Sequence, residues 1–424
     1  MAGLKPLSRA AIVAVGSELL TPSRVDTNSL FITEQLNLLG IDVVLKSVVG
    51  DDRVELEHVV RGLRARVDLI VFSGGLGPTD DDVTREVVAA TLGRELHEDE
   101  AISAQIEARF AARGFALPMP AINRRQAMVP QGARVIPNTR GSAPGLWLDD
   151  GDRVLLLLPG PPRELHPMLV GLLPGLRERA GDVSLVRRVV KIVGRIESET
   201  EERLRPLYAG WAAAPLPVSE TILAALGQIE LHLSARARSR ADADAALDAA
   251  VAQVVAALGA DAFSTDGRSL PEVVGELLAE RGLQIGVAES CTGGLVTSRL
   301  TDVPGSSRYV QESVVTYANE AKTSRLGVPP ALIAEHGAVS EPVARAMADG
   351  IRSRAGVDVG VAVTGIAGPG GGSAEKPVGT VAIAVASAGE ARSRTFRFGG
   401  EREHVKFQAS QAALDMVRRV LLSL

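Results

Sequence analysis

Two residues in the last third of the chain have the types and the surroundings that nucleophilic hydrolysis requires. Ser290 lies in Ala288-Glu-Ser-Cys-Thr-Gly-Gly294, where an apolar run, a tight turn and a helical pattern follow one another. A serine at such a turn is exposed at the edge of a sheet, where a base can activate its hydroxyl. Lys322 is the candidate base, because burial would lower the pKa of its ammonium group. Taken singly, Ser290 is also explained as a helix cap and Lys322 as a solvated surface lysine.

Backbone groups beside Ser290 offer the second requirement of such a reaction, which is stabilisation of negative charge. The N–H groups of the turn would lie at the N-terminus of a helix, where they favour an oxyanion or a phosphate. A glycine-rich loop at residues 364–372 follows a predicted strand and would let a phosphate or a ribose approach, although a lone glycine loop is more often structural. The donors of the turn belong to Cys291, Thr292, Gly293 and Gly294.

The first third of the chain contains a second candidate site at residues 73–82, Ser-Gly-Gly-Leu-Gly-Pro-Thr-Asp-Asp-Asp. Its glycines Gly74, Gly75 and Gly77 would let the backbone approach a phosphate. Three successive carboxylates would repel that phosphate unless a divalent cation lies between them, and Mg²⁺ binds one or two carboxylates plus substrate oxygens. Taken alone, the segment is equally well explained as a glycine-rich turn with aspartate caps.

Three further loops favour a ligand site in this part of the chain. Gly16-Ser-Glu18 ends the first predicted strand, where ligands collect in open α/β sheets. Residues 138–145 and 159–162 form two more loops dense in Gly and Pro. Four such loops after strands indicate a nucleotide-sized ligand at one edge of a sheet.

Composition restricts the class of protein. A length of 424 residues predicts about three domains. Apolar residues make up 46% of the chain and aromatic residues 3%, so the cores are built from Val, Leu, Ile and Ala. The net charge of −5 does not predict a nucleic-acid binder or a membrane-surface protein. The single cysteine, Cys291, excludes an internal disulfide and a cysteine-built zinc site.

The sequence also predicts a cytoplasmic location. The apolar run at residues 10–15 is too short for a signal peptide, and Glu18 interrupts it. No apolar stretch approaches the roughly 20 residues of a membrane span.

The elements that position both sites follow an α/β pattern in residues 1–175 and again in residues 264–424. In the first part, strands are predicted at 10–16, 43–49, 68–73 and 154–158, with a helix capped by Asp26 that runs to 39 and further helices at 54–66, 83–92 and 100–113. In the last part, strands are predicted at 284–288, 310–317, 358–364, 380–386 and 393–398, with helices at 270–281, from 292, and at 401–422. Strands that are apolar on both faces and separated by helices indicate mostly parallel sheets.

Residues 176–263 differ in pattern from both. Strands are predicted at 189–193 and 229–235, and helices at 197–208 and 240–258, with a Pro- and Ala-rich stretch at 211–217. The predicted fold class is therefore α/β, with two α/β domains joined by a small α+β middle domain.

Taken together, these segments resemble the CinA family, the competence-damage inducible proteins. The resemblance covers nearly the whole chain, with many motifs in one order. In the first part it rests on GSELL (16–20), DTNS (26–29), SGGLGPTDDD (73–82) and GSAPG (141–145). In the last part it rests on AESCTGG (288–294), VTYANEAK (315–322), HGAVSEP (336–342), TGIAGP (364–369) and KPVGTV (376–381).

The resemblance implies that the C-terminal domain is a nicotinamide-nucleotide amidase. Such an enzyme hydrolyses the carboxamide of nicotinamide mononucleotide to nicotinic acid mononucleotide and ammonia by serine–lysine chemistry, without a cofactor. The pattern falls on Ser290 as nucleophile and Lys322 as base. Tyr317 would orient Lys322 or line the pyridine slot, although a core tyrosine is an equal alternative. Contacts to ribose and phosphate are expected from Thr364, Gly365 and Arg402.

The N-terminal domain resembles molybdopterin-binding domains, which this family links to metal-dependent hydrolysis of ADP-ribose. For such a reaction, the carboxylates of Asp80, Asp81 and Glu18 are expected to hold the divalent cation, which would be Mg²⁺, Mn²⁺ or Co²⁺. Family members also have a KH-like middle domain and form homodimers, but residues 176–263 lack the G-x-x-G loop of nucleic-acid-binding KH domains. Nucleotide contacts are expected from Gly16, Glu18, Asn28, Gly74, Gly75, Gly77, Thr79, Asn138, Gly141 and Gly145.

Two rival interpretations stay open. In the first, the N-terminal domain binds a nucleotide without hydrolysing it and regulates the amidase, because the same carboxylate and metal site would serve binding alone. Alternatively, the whole protein is an adaptor in DNA uptake, as the family name hints. The acidic charge and the lack of a basic patch interleaved with aromatic residues argue against direct contact with DNA.

Overall fold

The structure is a computed structural model that describes residues 5–112, 114, 118–181, 183–388 and 390–424. The chain divides into two compact units, of which the first is Met1–Val186 with Ala235–Ala245 and the second is Arg187–Ser234 with Ala246–Leu424. Arg113, the predicted end of helix 100–113, lies outside the described residues.

The first unit contains a mixed sheet. Within the described ranges its strands run in the order β2-β1-β3-β8-β7-β6, and β4 pairs with β5. The pairs β1–β2, β1–β3 and β3–β8 are parallel, whereas β6–β7 and β7–β8 are antiparallel. The strands are β1 (Arg9–Val15), β2 (Asp42–Val49), β3 (Leu69–Ser73), β4 (Leu96–Glu98), β5 (Met128–Pro130), β6 (Arg134–Ile136), β7 (Gly145–Asp150) and β8 (Arg153–Leu158).

Helices cover both faces of this sheet. Successive residues of β1 belong to opposite cores, because side chains alternate along a strand. Val13 belongs to a cluster with Val60, and Ile12 belongs to a cluster with Leu36 and Leu165. This burial on both faces confirms the predicted α/β class. The helices are α1 (Asn28–Leu38), α2 (Arg53–Arg64), α3 (Thr84–Thr91), α4 (Glu100–Ala112) and α5 (Pro162–Ala180), with 3-10 turns at Ser17–Leu20 and Ala121–Ala127.

A smaller sheet follows in the chain, with the strand order β10-β11-β9-β12. The side chains of β11 are alternately buried along most of its length, as its Ile229, Leu231 and Leu233 pattern predicted. The helix after β9 continues through Pro206 to Ala213, so it is longer than the predicted helix 197–208. The elements are β9 (Ser184–Ile192), α6 (Glu197–Ala213), β10 (Val218–Ala225), β11 (Gln228–Ala237), α7 (Arg240–Leu258), the 3-10 turn Gly259–Asp261 and β12 (Ala262–Ser264).

The helical stretch Arg240–Asp261 corrects one expectation. Its 22 residues are long and apolar enough to cross a membrane by length and composition, although no such stretch was expected. Alanine, which is only weakly apolar, supplies much of this hydropathy. Ala243, Leu247 and Val254 form part of a buried face along the helix. Core helices of soluble proteins meet the same two criteria, so the finding is weak evidence for a span.

From Leu270 onward, the second unit forms another α/β arrangement around a sheet with the order β14-β13-β15-β16-β17 in the described part of the chain. Strand β13 lies between β14 and β15 and is parallel to both, whereas β16 and β17 add antiparallel strands. The elements are α8 (Leu270–Glu280), β13 (Ile285–Glu289), α9 (Leu295–Thr301), β14 (Val310–Val315), α10 (Asn319–Leu326), α11 (Pro330–His336), α12 (Glu341–Ala355), β15 (Val359–Gly365), β16 (Thr380–Ser387), β17 (Glu390–Arg397) and α13 (Arg402–Ser423), with a 3-10 turn at Ser306–Arg308.

Candidate functional site

The three parallel strands of the last sheet bring the predicted catalytic residues to one edge. Ser290 follows β13, Lys322 lies in the helix that follows β14, and Thr364 lies near the end of β15. The carboxyl ends of parallel strands meet at the same edge, where α/β proteins bind ligands. The N–H of Ser290 donates to the carbonyl of Val363 at 2.9 Å, so the sheet pairing itself fixes the position of the serine.

Ser290 and Lys322 are in direct contact. The Nζ atom of Lys322 donates to Oγ of Ser290 at 3.2 Å, and also to the carbonyl oxygens of Thr316 at 3.0 Å and Tyr317 at 3.3 Å. Only 1% of Lys322 and 7% of Ser290 is exposed. Lys322 is therefore not a solvated surface lysine, and the expectation that Ser290 is exposed at the edge of the sheet was wrong. The contact between the two side chains has the spacing that a nucleophile and its base require.

Burial shifts the protonation equilibrium of this lysine. Desolvation lowers the pKa of Lys322, and the charge of Glu320 opposes that shift. A lowered pKa increases the fraction of neutral amine at a given pH, and only the neutral amine accepts a proton. The environment therefore favours a basic role.

Cys291 lies beside the serine but has a different environment. Burial, assisted by the charge of Glu289, raises the pKa of its thiol to about 12. The thiolate is the reactive form of cysteine, so this residue is a protonated, inert thiol at neutral pH. A Cβ added at Gly365 would lie 2.7 Å from Cγ2 of Val381 and 2.9 Å from Sγ of Cys291, so close packing against both residues accounts for that glycine.

The turn after Ser290 offers fewer free donors than the sequence predicted. The N–H of Gly293 donates to the carbonyl of Ser290 at 3.1 Å, and the N–H of Gly294 donates to the Glu289 carboxylate at 2.9 Å. Within the described part of the chain, no acceptor on another residue is found for the N–H groups of Cys291 and Thr292. The predicted oxyanion donors are therefore reduced from four to these two.

The remaining predicted contacts lie around the same edge. Arg402 donates to the carbonyl of Gly368 at 2.6 Å and to the hydroxyl of Tyr317 at 2.8 Å. Tyr317 is 60% exposed, which excludes the alternative of a core tyrosine. The hydroxyl of Thr364 is buried and donates to the carbonyl of Ala338 at 2.9 Å, so it offers a ligand only acceptor capacity.

Two lysines that the sequence analysis did not select lie near this edge. The Nζ atom of Lys406 would be 3.8 Å from a Cβ added at Gly293, so it lies close to the turn after the serine. The Nζ atom of Lys376 donates to the carbonyl of His336 at 2.7 Å. Lys376 belongs to the KPVGTV motif and Lys406 to the stretch after Gly400. Neither segment by itself indicates that its lysine lies near Ser290, which only the fold shows.

The first unit has a cavity of about 650 Å³ at the carboxyl ends of its strands. Some of the predicted residues do not line this cavity, namely Thr79, Asp80, Asn138, Gly141 and Gly145. Asn138 and Gly141 instead border a neighbouring cavity of about 430 Å³. The predicted residues that do line the larger cavity are Gly16, Glu18, Asn28, Gly74, Gly75, Gly77 and Asp81.

The three consecutive aspartates have separate roles in the structure. The Asp80 side chain is fully exposed and pairs with Arg125 at 2.9 Å, so it is not brought together with Glu18 and Asp81. Asp82 accepts from the N–H groups of Gly77 at 2.7 Å and Thr79 at 2.9 Å and so closes the loop. The hydroxyl of Thr79 also donates to Asp82, at 2.6 Å, whereas Asp81 lines the cavity.

The glycines of this loop are explained by the packing of the protein itself. An added Cβ would lie 2.2 Å from the Val15 carbonyl at Gly74 and 2.1 Å from the Thr84 hydroxyl at Gly75. At Gly77 it would lie 2.4 Å from the Asp82 carboxylate. The close approach that the sequence assigned to a phosphate is thus made by neighbouring protein atoms.

The side chains around this cavity determine how the predicted cation could be held. The described residues contain no group of three or more His, Cys, Asp or Glu side chains arranged to hold a metal ion. Glu18 and Asp81 both line the cavity. Two carboxylates fit a cation whose remaining ligands come from substrate oxygens and water, as is usual for Mg²⁺, but not a cation held by protein side chains alone.

Asn28 offers an unused acceptor to the cavity. Its Nδ2 atom donates to the hydroxyl of Ser73 at 3.0 Å and to the carbonyl of Gly160 at 2.7 Å. Its Oδ1 atom is buried and has no partner among the described residues. Buried polar atoms are usually hydrogen-bonded, so this atom is available to a donor group of a ligand.

Known proteins match the chain over nearly its whole length. Residues 267–421 match the family described as CinA C-terminal domain, and residues 11–178 match the family described as probable molybdopterin binding domain. CinA-like proteins of Koribacter versatilis and Acidobacterium capsulatum are 46% and 44% identical over 418 residues, which cover 97% of this chain and 100% of each relative.

A solved structure matches one part of the chain. The competence/damage inducible protein CihA from Agrobacterium tumefaciens is 41% identical, with a TM-score of 0.35, over 36% of this chain and 93% of its own. With the two family matches and the full-length relatives, the chain belongs to the CinA family, and this membership suggests a hydrolase-type enzyme.

Proposed function

We propose that residues 264–424 hydrolyse the carboxamide of nicotinamide mononucleotide to nicotinic acid mononucleotide and ammonia. The observation that supports this most strongly is the 3.2 Å contact between the hydroxyl of Ser290 and the amine of a buried lysine, Lys322. The substrate is proposed from the motif resemblance to the CinA family, and the type of reaction is proposed from the contact between Ser290 and Lys322.

The reaction proceeds through an acyl-enzyme. Ser290 Oγ attacks the carboxamide carbon while neutral Lys322 takes the hydroxyl proton. The N–H groups of Cys291 and Thr292 stabilise the oxyanion, and Lys322 returns the proton to the departing ammonia. Water then attacks the acyl carbon, the lysine accepts a proton from that water, and Ser290 is released as the hydroxyl.

The surroundings of the pair suit an anionic nucleotide. Arg402 and Lys406 are both on α13, and both lie close to segments that contribute to the site. An arginine and a lysine at this edge would bind a phosphate group. The exposed ring of Tyr317 is available to stack on the pyridine, with its hydroxyl held by Arg402.

The test is release of ammonia from nicotinamide mononucleotide by the purified full-length chain, with and without EDTA. Serine–lysine chemistry generates its nucleophile without a metal, so the chelator should leave the rate unchanged. Nicotinamide riboside, which lacks the phosphate, should react with a higher KM. Loss of all activity in EDTA while the chain stays folded would contradict the proposed chemistry.

For the cavity of the first unit, we propose binding and hydrolysis of ADP-ribose, or a related nucleotide, to AMP and ribose 5-phosphate. A volume of about 650 Å³ suits a ligand of this size. Glu18 and Asp81 would hold Mg²⁺, Mn²⁺ or Co²⁺, which when bound would offset the phosphate charge. Asn28 Oδ1 would accept from a ribose hydroxyl.

The acidic lining of the cavity supports a cation as part of the ligand. Arg24 is the basic residue among those lining it, against six acidic ones. Asp26, Asp51, Asp82 and Glu164 already accept hydrogen bonds from other residues of the protein. A bare pyrophosphate would be repelled by this lining. Binding without turnover, as a sensor that regulates the amidase, is the second candidate because it needs the same groups.

The assembly and the location are proposed from the resemblance and the sequence. We infer a homodimer in the cytoplasm, without contacts to membrane or nucleic acid. Light scattering of the purified chain tests the dimer, and a salt-dependent shift of duplex DNA would instead favour an adaptor role in DNA uptake.

A further inference from the structure

Glu289, the last residue of β13, is a fully buried carboxylate directly before Ser290. Its Oε2 atom accepts from the N–H groups of Gly294 at 2.9 Å and Val296 at 3.2 Å. Its Oε1 atom accepts from the N–H of Thr297 at 2.9 Å and from the hydroxyl of the same residue at 2.8 Å. Four donors offset the cost of burying this group.

The carboxylate occupies the N-terminal end of α9. Helix N-termini favour anions because their first N–H groups lack acceptors within the helix. Here the anion is part of the protein, so a substrate phosphate cannot use these donors. The bonds also fix the direction in which the chain leaves Ser290, because Gly294, Val296 and Thr297 are all held by one side chain.

A second set of contacts runs from Glu289 towards Lys322. The carbonyl oxygen of Glu289 accepts from the N–H of Thr316 at 2.7 Å. The hydroxyls of Thr297 and Ser313 are 2.5 Å apart. Thr297 gives its only hydroxyl hydrogen to Glu289, so Ser313, on β14, is the donor in that bond.

These contacts lead to the carbonyl groups that accept hydrogen bonds from Lys322. Strand β14 leads into Thr316 and Tyr317, whose carbonyl oxygens accept from Lys322 Nζ. One residue therefore connects the turn of the nucleophile to the carbonyl acceptors of the lysine.

We propose that Glu289 is a positioning residue for the Ser290–Lys322 pair, acting through Thr297 and Ser313. This inference rests on the proposed function, in which that pair carries out the reaction. Glu289 itself contacts neither the substrate nor the reacting atoms. It sets the distance between the hydroxyl and the amine.

The experiment compares substitutions of Glu289 and Thr297 in the full-length chain. Glu289→Gln places an amide nitrogen opposite backbone donors, and Thr297→Val removes the hydroxyl while it keeps the volume. Because small misplacements of reacting groups cost up to about 100-fold, kcat should fall about 100-fold in Glu289→Gln and about 10-fold in Thr297→Val. The KM for nicotinamide mononucleotide should change less than about threefold, because the ligand contacts lie elsewhere.

Two further variants separate positioning from a general structural effect. Thr297→Ser restores the hydroxyl and should recover at least about half of the activity, since a serine hydroxyl makes the same bonds. Thr301→Val is the matched control: Thr301 is on the same helix, and its hydroxyl donates only to backbone carbonyls of that helix. It should match the wild type.

A second readout makes the test independent of the substrate. A fluorophosphonate probe reacts with activated serines, and mass spectrometry measures the rate of Ser290 labelling. Labelling should slow in Thr297→Val in proportion to kcat, even if Glu289→Gln fails to fold. Labelling of a folded Thr297→Val at the wild-type rate overturns the positioning role. A wild type that is labelled at Ser290 but does not release ammonia overturns the proposed substrate only, whereas a wild type that resists the probe overturns both.

Discussion

Burial moves the two ionisable neighbours of Ser290 in opposite directions. It lowers the pKa of the Lys322 ammonium and raises the pKa of the Cys291 thiol to about 12. Each shift favours the neutral form, because a charged group loses its hydration in the interior. In the proposed reaction only the neutral lysine acts as a base, and a neutral thiol is a poor nucleophile, so the same burial favours Ser290 over Cys291 as the proposed nucleophile.

Substitution of the two adjacent residues tests this selection. Ser290→Ala should lower kcat for ammonia release by about 10⁴-fold or more, as loss of a nucleophile does in other hydrolases. Cys291→Ala should retain kcat within about fivefold, because the thiol is protonated and the backbone N–H is kept. Steady-state ammonia release measures both. The reverse pattern, with the alanine at 290 active and the alanine at 291 inactive, would assign the nucleophile to Cys291.

The pH dependence of the reaction tests the role of Lys322. The protonated amine is inactive as a base, so the rate should rise with pH through an apparent pKa below the ordinary lysine value of 10.5. Lys322→Arg should be nearly inactive, because a guanidinium stays protonated throughout. The measurement is the pH profile of kcat/KM between pH 6 and about 10. An active arginine variant would leave Lys322 only an electrostatic role.

At the scale of elements, the sequence predicted the strands that carry the site but not the details of the turns. The apolar runs of β1, β3, β8 and β15 are buried on both faces, which makes them easy to recognise. The helix predicted from Thr292 begins at Leu295 instead, because Gly293 and Gly294 have positive φ angles of 63° and 98°. The use of their N–H groups depends on where Glu289 points, which only the folded turn determines.

Proline accounts for a helix that the sequence analysis missed. α5 spans 19 residues and contains Pro167 and Pro174 in its interior. Proline lacks an N–H and usually ends a helix, so a prediction from the local sequence does not continue the helix through it. The buried face of α5, with Leu165, Leu169 and Leu176 in contact with the sheet core, outweighs that cost. Tertiary packing is not visible in the local sequence.

A matched pair of glycines tests the structural account of the loop at residues 73–82. Gly75 and Gly93 both have positive φ, but only at Gly75 would an added Cβ meet another atom, the Thr84 hydroxyl. Gly93→Ala should destabilise the first unit by about 1–2 kcal/mol from backbone strain alone. Gly75→Ala should cost about 3 kcal/mol or more, because overpacking adds to the same strain.

The measurement for this pair is urea unfolding followed by tryptophan fluorescence. The chain has two tryptophans, and Trp147 is the one in the first unit, so a Trp211→Phe background isolates its signal. Equal costs in the two variants would show that the close approach at Gly75 is unimportant.

At the scale of the whole molecule, the two candidate sites belong to different hydrophobic cores. The cores of the first unit are built around strands β1, β3 and β8, and those of the second around β13, β15 and β16. No residue is shared between these clusters of the described chain. A substitution that alters one site should therefore leave the stability of the other core unchanged.

Separate cores permit a test of the first site with the second as an internal control. Asp81→Asn removes a carboxylate that lines the cavity, and it should abolish metal-dependent formation of AMP from ADP-ribose while ammonia release continues at the wild-type rate. Asp80→Asn is the matched control, since the exposed Asp80 pairs with Arg125 and does not line the cavity. Chromatography of the products and calorimetry with Mg²⁺ and ADP-ribose measure turnover and binding separately. If the Asp80 variant is the inactive one, the cation is held in a loop conformation different from this structure.

If the wild type binds ADP-ribose with Mg²⁺ but forms no AMP, and ammonia release changes on binding, the cavity is a sensor and the hydrolase proposal for the first unit is wrong.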